Sequence, residues 1–396
     1  MADSDAPARP QVSTRDLAEV HERLVAWLAG RLPTGADPRV SELSTPSTNG
    51  MSSETLLFDA AWTEDGAIRT ERCVVRMRPA LEAKPVFPTY DLDKQYRVMS
   101  LVAERCGVPV PKLLWEEPGE AAPGAPFFVM RRADGSAPPD DVPYTIDSRL
   151  LKAAPADRAR LQEESVRIIA EIHQICATDD EIAFLQLDQP GGTTLRRHLN
   201  DLKAYYAWGM EGRPVPLLDR AFAWLEANFP EDAGPDVISW GDARIGNILY
   251  VDFAPTAVLD WEMAAVGPRE IDLAWMIFAH DFFQDLAARY GGLPGIPDLL
   301  RREDVYSRYA ELTGHTPRNT RYFEVYAAVR HGVLMARVAR RQEHFGERAV
   351  AENRDETVFQ RVLIERMLDG TFWDNLPSAP APAPAPAAGA GAGAAE

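Results

Sequence analysis

The chain has 396 residues, of which 46% are hydrophobic and 26% charged, and its formal net charge is −18 at pH 7. This composition predicts a folded protein that is large enough for two domains or for one large bilobal domain. The acidic balance argues against nucleic acid as a partner, because the protein would repel phosphate backbones. It is compatible with a cationic small-molecule partner, and equally with a role in solubility alone.

Cysteine usage and hydropathy predict the compartment. The three cysteines, Cys73, Cys106 and Cys176, show no CxxC spacing, so we expect neither a disulfide framework nor a structural zinc site. The stretch MADSDAPARP lacks the pattern of a signal peptide. No apolar run approaches the roughly 18 residues of a membrane span. We therefore expect a cytoplasmic protein with no membrane partner.

The first third of the chain has the pattern of a small antiparallel sheet with a helix against it. An amphipathic helix is predicted over 13–32, with Ser13 or Thr14 as its N-cap. Strand-like segments follow, and Asp65-Gly66 indicates a hairpin turn between the second and third of them. The predicted strands are 39–45, 54–62, 68–78, 112–117 and 126–132, and a second helix covers 91–107.

From about Asp157 the pattern becomes mainly helical, and only 236–262 interrupts it with short apolar strands. The predicted helices are 157–176, 194–209, 216–228, 269–289, 302–313, 319–345 and 355–369. A β-rich front and an α-rich back predict two lobes with a cleft between them. We assign 1–133 to the N-terminal lobe, 134–376 to the C-terminal lobe, and 377–396 to a disordered Pro/Ala/Gly tail.

The candidate chemistry lies in SWGDARIGNILY and the AVLDWE that follows it. Asp242 and Asn247 lie in a loop between predicted strands, and Asp260 closes the next strand. This D-x4-N loop with an acidic residue at a later strand end is the arrangement that kinases use. Asp242 would accept the proton of a hydroxyl nucleophile, Asn247 and Asp260 are hard oxygen ligands for Mg²⁺, and Glu262 would reach a second ion or its water. Each residue alone would fit an ordinary turn.

The same segment, continued through EMAAVGPREIDLAW, resembles the catalytic region of aminoglycoside phosphotransferase-like kinases. It is especially similar to the kinase-like domains of some acyl-CoA dehydrogenase fusion proteins. The resemblance covers roughly residues 35–345 and is most specific over 238–275. It implies an α+β, bilobal protein-kinase-like fold with a small β-rich lobe and a larger helical one. It also implies that ATP and Mg²⁺ are used to phosphorylate a hydroxyl of a small molecule.

The resemblance further implies residues that hold the nucleotide phosphates. STPSTNGMSSETLLFDA would lie over the phosphates, with Ser52 and Ser53 as donors. Arg76 stands at the position of the basic residue that contacts the α- and β-phosphates. Arg78 is on the same strand face, so either could serve, or both could be surface charges. Gln95 stands where many relatives have Glu, so we expect an Arg76–Gln95 hydrogen bond in place of an ion pair.

Two further segments carry expectations from the resemblance. FFVMRRADG would form the hinge, where the main chain of Arg131 and Ala133, next to Met130, would read adenine. Trp240 replaces the His that relatives usually have, and Arg244 would reach the transferring phosphoryl group.

The acceptor is left open by the sequence. An aminoglycoside, a hydroxyacyl thioester and another metabolite alcohol are all consistent with the resemblance. The departures at Arg76, Gln95 and Trp240 also leave a nucleotide-binding pseudokinase as an alternative. Asp272, near a predicted helix start, is expected to brace the catalytic loop. We expect acceptor specificity to arise from 137–150, 269–289 and 319–345. The sequence leaves the oligomeric state open.

Overall fold

The structure is a computed structural model and describes residues 15–46, 53–80, 84–119 and 124–374. Ser52, the proposed caps Ser13 and Thr14, and the tail 377–396 lie outside these residues. Within them, no helix combines the length and the hydropathy that crossing a membrane requires.

The N-terminal part forms one antiparallel sheet flanked by two helices. Its elements are α1 (Leu17–Arg31), β1 (Arg39–Val40), β2 (Glu54–Glu64), β3 (Ala67–Met77), α2 (Leu92–Arg105), β4 (Leu113–Glu117) and β5 (Phe127–Arg131). The strand order is β1-β2-β3-β5-β4. Asp65 and Gly66 join β2 to β3 with φ angles of 51° and 76°. Two successive positive φ angles match the twist of a two-residue hairpin, which confirms the predicted turn.

Three expected boundaries are wrong. The N-cap of α1 is Asp16, whose carboxylate accepts from the Ala18 amide at 2.9 Å. The edge strand expected over 39–45 shortens to β1 and one bridge at Ser44, because one extra residue between Ser41 and Ser44 interrupts the ladder with β2. The helix expected over 355–369 begins at Arg361, after a separate 3₁₀ turn at Arg354–Thr357.

Alternation along β3 and β5 divides the sheet into two faces. Val75 and Met77 pack toward α1, whereas Val74 and Met130 join a core that contains α2 and much of the C-terminal part. Arg76 has the same parity as Val74, so its side chain leaves the sheet on the face that looks toward the C-terminal part.

The C-terminal part is mainly helical around two small strand pairs. Its elements are α3 (Pro155–His173), α4 (Asp179–Ile182), α5 (Thr194–Met210), α6 (Pro216–Ala227), β6 (Asp236–Ser239), β7 (Ile248–Val251), β8 (Ala254–Val258), β9 (Ala265–Pro268), α7 (Glu270–Gly291), α8 (Arg302–Thr313), α9 (Thr320–His344), α10 (Arg361–Asp369) and α11 (Thr371–Asp374). β6 pairs with β9 and β7 pairs with β8, both antiparallel. The protein is thus α+β and bilobal, as expected.

Candidate active site

Two strand pairs hold the segment that carries the predicted chemistry. Residues 240–247 connect β6 to β7 and end in a 3₁₀ turn at Ile245–Asn247. Asp260 follows β8 with a φ angle of 56°. The Leu259 amide donates to the Asn247 carbonyl at 2.8 Å, so the two predicted metal ligands lie on segments that are hydrogen-bonded to each other.

The carboxylate of Asp242 is fixed by two donors on the same oxygen. Trp275 Nε1 donates to its Oδ1 at 2.6 Å, and Arg244 Nε donates to the same atom at 3.1 Å. Within the described residues, Oδ2 receives no donor. Asp242 therefore has a fixed orientation and one oxygen that is able to accept a proton.

Arg244 is held by carboxylates on both sides of its guanidinium. It pairs with Asp242 and, through Nη1, with Asp140. Burial lowers the pKa of Arg244, but the charges of Asp242 and Asp140 outweigh this effect and raise it, so the side chain stays cationic. A Cβ at Gly246 would lie 2.6 Å from Arg244 Nη1, which explains the glycine there. These contacts favour a positioning role for Arg244 over direct contact with a phosphoryl group.

The orientation of Asn247 suits a metal ligand. Its side chain is 2% exposed, and its Nδ2 donates to the Asp242 carbonyl at 3.1 Å. Since the amide nitrogen is used in this way, Oδ1 is the atom that points elsewhere and remains able to coordinate a cation.

Arg76 gathers three other predicted residues around it. Its Nη1 lies 2.5 Å from Asp260 Oδ1, and its Nη2 donates to Ser53 Oγ at 2.5 Å and lies 3.8 Å from Glu262 Oε2. Burial lowers the pKa of Arg76, yet Asp260 and Glu262 raise it overall. The Arg76 guanidinium thus connects Ser53, next to the N-terminal sheet, with Asp260 and Glu262 in the segment after β8.

The expected Arg76–Gln95 hydrogen bond is wrong. The ionised carboxylates of Asp260 and Glu262 attract the guanidinium more strongly than a neutral amide does, so Arg76 turns toward them. Gln95 is 2% exposed, and neither its Nε2 nor Arg76 Nε has a hydrogen-bond partner among the described residues. Two buried donors without acceptors are costly, and an anionic ligand such as a phosphate would satisfy them.

At the predicted hinge, Met130 is 6% exposed and packs in the core. Arg131 closes β5, and its side chain donates to Glu71 Oε2 at 2.7 Å. Ala133 lies beyond the strand, where the chain passes into the C-terminal part. The carbonyl of Asp134 accepts from Thr256 Oγ1 at 2.5 Å, which ties this passage to β8. Adenine recognition by the main chain here stays a prediction.

Trp240 links the catalytic loop to the segment that carries Asp260. Its side chain is fully buried, and its Nε1 donates to the Leu259 carbonyl at 2.9 Å. The ring also lies 5.9 Å from that of Trp261, between centroids. The indole therefore joins the two halves of the site by packing and by one hydrogen bond.

We expect Trp240→Phe to lower the free energy of unfolding by about 1–3 kcal/mol, because the buried Leu259 carbonyl loses its donor. The affinity of this variant for Mg²⁺·AMP-PNP should fall together with its stability. Trp261→Phe is a matched control, since it keeps an aromatic ring beside Trp240 and removes only the hydrogen bond from Trp261 Nε1 to the Val258 carbonyl (3.0 Å), which lies outside the catalytic loop. Urea unfolding and calorimetric titration would measure both variants. Equal loss of nucleotide affinity in the two would contradict this role of Trp240.

Asp272 braces the catalytic loop, as expected. It is completely buried; its Oδ1 accepts from Ser239 Oγ and from the Gly241 amide, both at 2.8 Å. Its Oδ2 accepts from the Trp240 amide at 2.7 Å and from His173 Nε2 at 3.0 Å. Burial raises the pKa of Asp272, but these donors and the His173 charge lower it overall.

Gly241 is required by the backbone next to the proposed base. Its φ is 89°, and a Cβ there would lie 2.1 Å from the Met263 carbonyl oxygen. We expect Gly241→Ala to destabilise the fold by about 3 kcal/mol through left-handed strain and overpacking. Gly234→Ala is the control: its φ is 79°, but the nearest atom would be 3.6 Å away, so strain alone should cost about 1–2 kcal/mol. Similar losses in urea unfolding would contradict the steric argument.

Two residues of this site were missed at the sequence level. Trp275 lies one helical turn after Asp272, so the spacing within IDLAW was a signal that both side chains face the loop. No local sequence pattern indicates Asp140, because it is 104 positions away from Arg244 in the chain and contacts it only in the folded protein.

Among the described residues, no group of three or more His, Cys, Asp or Glu side chains is arranged to hold a metal ion. Mg²⁺ does not need such a group, since proteins commonly bind it through one or two carboxylates together with substrate phosphates. Asn247 Oδ1 and the carboxylate of Asp260 fit that donor set.

Comparisons with known proteins identify the family and the fold. The profile of the phosphotransferase enzyme family (APH) matches residues 57–312, which is more than half of the chain. Acyl-CoA dehydrogenase family member 11 of Rattus norvegicus is 27% identical over 274 residues, covering 66% of this chain and 32% of the rat protein. The chain therefore spans about a third of that relative's length.

Two solved structures share the fold. A protein of Ralstonia eutropha classed with the aminoglycoside phosphotransferases gives a TM-score of 0.61 at 20% identity, covering 89% of this chain and 98% of that one. A thermostable variant of aminoglycoside phosphotransferase APH(4)-Ia, in ternary complex with AMP-PNP and hygromycin B, gives 0.52 at 14% identity, covering 88% and 98%. With the bilobal kinase-like fold and the family profile in agreement, the chain belongs to the phosphotransferase enzyme family.

Proposed function

We propose that the protein transfers the γ-phosphate of ATP to a hydroxyl group of a small molecule, with Mg²⁺ as its metal. The observation that supports this most is the meeting of the fixed carboxylate of Asp242 with Asn247, Asp260 and the Arg76 cluster at one site. A proton acceptor, metal-type oxygens and a phosphate-binding cation are the parts that phosphoryl transfer requires.

Asp242 is the proposed base. The acceptor oxygen attacks the γ-phosphorus, the bond from that phosphorus to the bridging oxygen of ADP breaks, and the hydroxyl proton passes to Asp242. Trp275 and Arg244 hold the carboxylate during this transfer, so little reorganisation is needed. Asp140 holds Arg244 in turn.

The nucleotide would be bound on the Arg76 side of the cleft. Arg76, Ser53 and Gln95 would donate to its phosphates, with Ser52 as a further donor from outside the described residues. The two buried nitrogens without acceptors support this placement. The main chain at Arg131 and Ala133, beside Met130, would bind adenine. Asn247 and Asp260 would hold Mg²⁺, assisted by Glu262, and the ion neutralises charge on the phosphates when bound.

The reaction can be tested by measuring Mg²⁺-dependent ADP release across amino sugars, nucleosides and hydroxyacyl-CoAs. We expect turnover with at least one of these classes and none without Mg²⁺. Nucleotide binding that requires Mg²⁺, but without turnover on any acceptor, would favour the pseudokinase alternative. ADP release with an aminoglycoside alone would identify a cationic acceptor.

A further inference from the structure

Helices α5 and α9 of the C-terminal part run parallel to each other. The Tyr326 hydroxyl donates to the His198 carbonyl at 3.4 Å, and a Cβ at Gly209 would lie 3.6 Å from Arg337 Cβ. The two contacts are separated by the same number of residues on each helix. This register places Asp201 of α5 level with Val329, next to Arg330, about one turn beyond Tyr326 on α9.

Arg330 reaches the proposed base through one aromatic ring. Its guanidinium carbon lies 4.7 Å from the ring centroid of Trp275, and Trp275 Nε1 donates to Asp242 at 2.6 Å. Within the described ranges, the Arg330 guanidinium makes no hydrogen bond or ion pair with a carboxylate. A partly buried cation without a carboxylate partner, stacked on the residue that orients the base, is placed to meet a ligand.

Lys94 approaches the same region from the N-terminal lobe. The segment before α2 is anchored on α5 and α9, because Tyr205 donates to the Val86 carbonyl at 3.1 Å and Arg337 Nη2 donates to the Pro85 carbonyl at 2.9 Å. Lys94 lies in the first turn of α2, shortly after this anchored segment, and interacts electrostatically with Asp201 of α5.

Electrostatics agree with that placement. Burial lowers the pKa of the Lys94 ammonium; Asp91, Asp201 and Glu262 oppose this effect, and Arg330 adds to it. The Lys94 ammonium therefore interacts electrostatically with charged residues of both lobes. Across the part of the chain that the structure describes, its ammonium forms no ion pair within 4.0 Å.

The charges on this face leave a positive surplus. Asp201 is the carboxylate of α5 that interacts with Arg330, and its Oδ1 accepts from Gln189 Nε2 at 3.3 Å. Asp260 and Glu262 are directed to Arg76 on the nucleotide side. Asp91 caps α2 by accepting from the Lys94 amide at 2.8 Å, which leaves Asp201 as the carboxylate that interacts with both cations. Two cations that share Asp201 disfavour an amine and favour an anion.

We propose that Arg330 and Lys94 bind an anionic group, a carboxylate or a phosphate ester, on the hydroxyl compound whose proton Asp242 accepts. The inference rests on the proposed function for the identity of the reacting group. Asp201 interacts electrostatically with both cations and limits their repulsion. The nucleotide phosphates have their own donors at Arg76, so this second pair of cations serves the acceptor.

Thermal unfolding with Mg²⁺·AMP-PNP at saturation tests the proposal without turnover, since the nucleotide site is then filled. Four small alcohols serve as probes: glycerol 3-phosphate, glycerate, ethanolamine and glycerol. We expect one or both anions to raise the Tm at about 10 mM, tenfold above a Kd of about 1 mM, and the cationic and neutral alcohols to leave it unchanged. Comparison of the two anions distinguishes a phosphate ester from a carboxylate.

The variants Arg330→Gln and Lys94→Gln should each lose that shift. Arg321→Gln is the matched control: it lies on α9, changes the charge equally and is exposed, with its guanidinium over Trp373. It should behave as the wild type does. Stabilisation by ethanolamine instead, no shift with either anion, or a shift that persists in both variants would overturn the proposal.

Kinetics separate this inference from the proposed reaction. With an anionic acceptor, Arg330→Gln should raise the KM for that acceptor by about 10- to 100-fold, as expected for a hydrogen bond to a charged group, and leave the KM for ATP unchanged. A raised KM for ATP would assign Arg330 to the nucleotide and overturn the inference. Anion binding without ADP release from any acceptor would reject the proposed function while retaining the anion site.

Discussion

Replacing Asp242 with Asn is expected to lower kcat by about 10²–10⁴-fold while leaving the affinity for Mg²⁺·AMP-PNP close to that of the wild type. An amide cannot take the hydroxyl proton, but its oxygen still accepts from Trp275 Nε1, so the loop should keep its shape. ADP-release kinetics and calorimetric titration of the nucleotide would give the two quantities on the same protein sample.

Asp140→Asn is the control for this experiment. It changes the charge equally and also touches Arg244, but Asp140 lies outside the proposed proton transfer. We expect a loss in kcat of about tenfold, since only the positioning of Arg244 is weakened. Full turnover by the Asp242→Asn variant would refute the base assignment, and equal losses in the two variants would reduce Asp242 to a positioning residue.

Replacing Asp272 with Ala is expected to lower the free energy of unfolding by about 4 kcal/mol. Four donors, from Ser239, Trp240, Gly241 and His173, would lose their common buried acceptor. The loop that carries Asp242 should loosen as a consequence, so nucleotide affinity should fall together with stability. Urea unfolding of the folded variant measures the first effect directly.

Ser239→Ala removes one of these donors and retains the carboxylate, so it should cost only about 1 kcal/mol. The pH dependence of stability is a second test of the bracing role of Asp272. Because the pKa of Asp272 is lowered in the fold, its contribution is fully present above its ordinary value of 3.8 and is lost as pH falls through the lower folded value. Asp272→Ala should therefore unfold with a weaker dependence on pH in that acidic range. A stability within 1 kcal/mol of the wild type would contradict the bracing role.

Local sequence patterns could predict the parts of the site that are close in the chain. The spacing of Asp242, Asn247 and Asp260 indicated a loop and a strand end, and the structure brings these segments together through the Leu259 amide. The Asp65-Gly66 turn was equally local, since two residues alone determine it.

Contacts between distant segments could not be predicted in this way. The sequence does not show whether Arg76 contacts Gln95 or the carboxylates after β8, because this depends on the distances between these side chains in the folded protein. The same holds for Asp140 with Arg244, which are 104 positions apart. The overall charge of −18 likewise gives no information about sign within the cleft, because Lys94 and Arg330 are brought there by helices from different parts of the chain.

The central claim is that Asn247 and Asp260 hold the metal beside the base. A crystal structure with AMP-PNP and Mn²⁺ in place of Mg²⁺ tests it most directly, since anomalous scattering locates the ion independently of the protein model. We predict an ion coordinated by Asn247 Oδ1, by the carboxylate of Asp260 and by nucleotide phosphates, at about 2.0–2.2 Å. An ion bound to the phosphates away from both side chains would contradict the account.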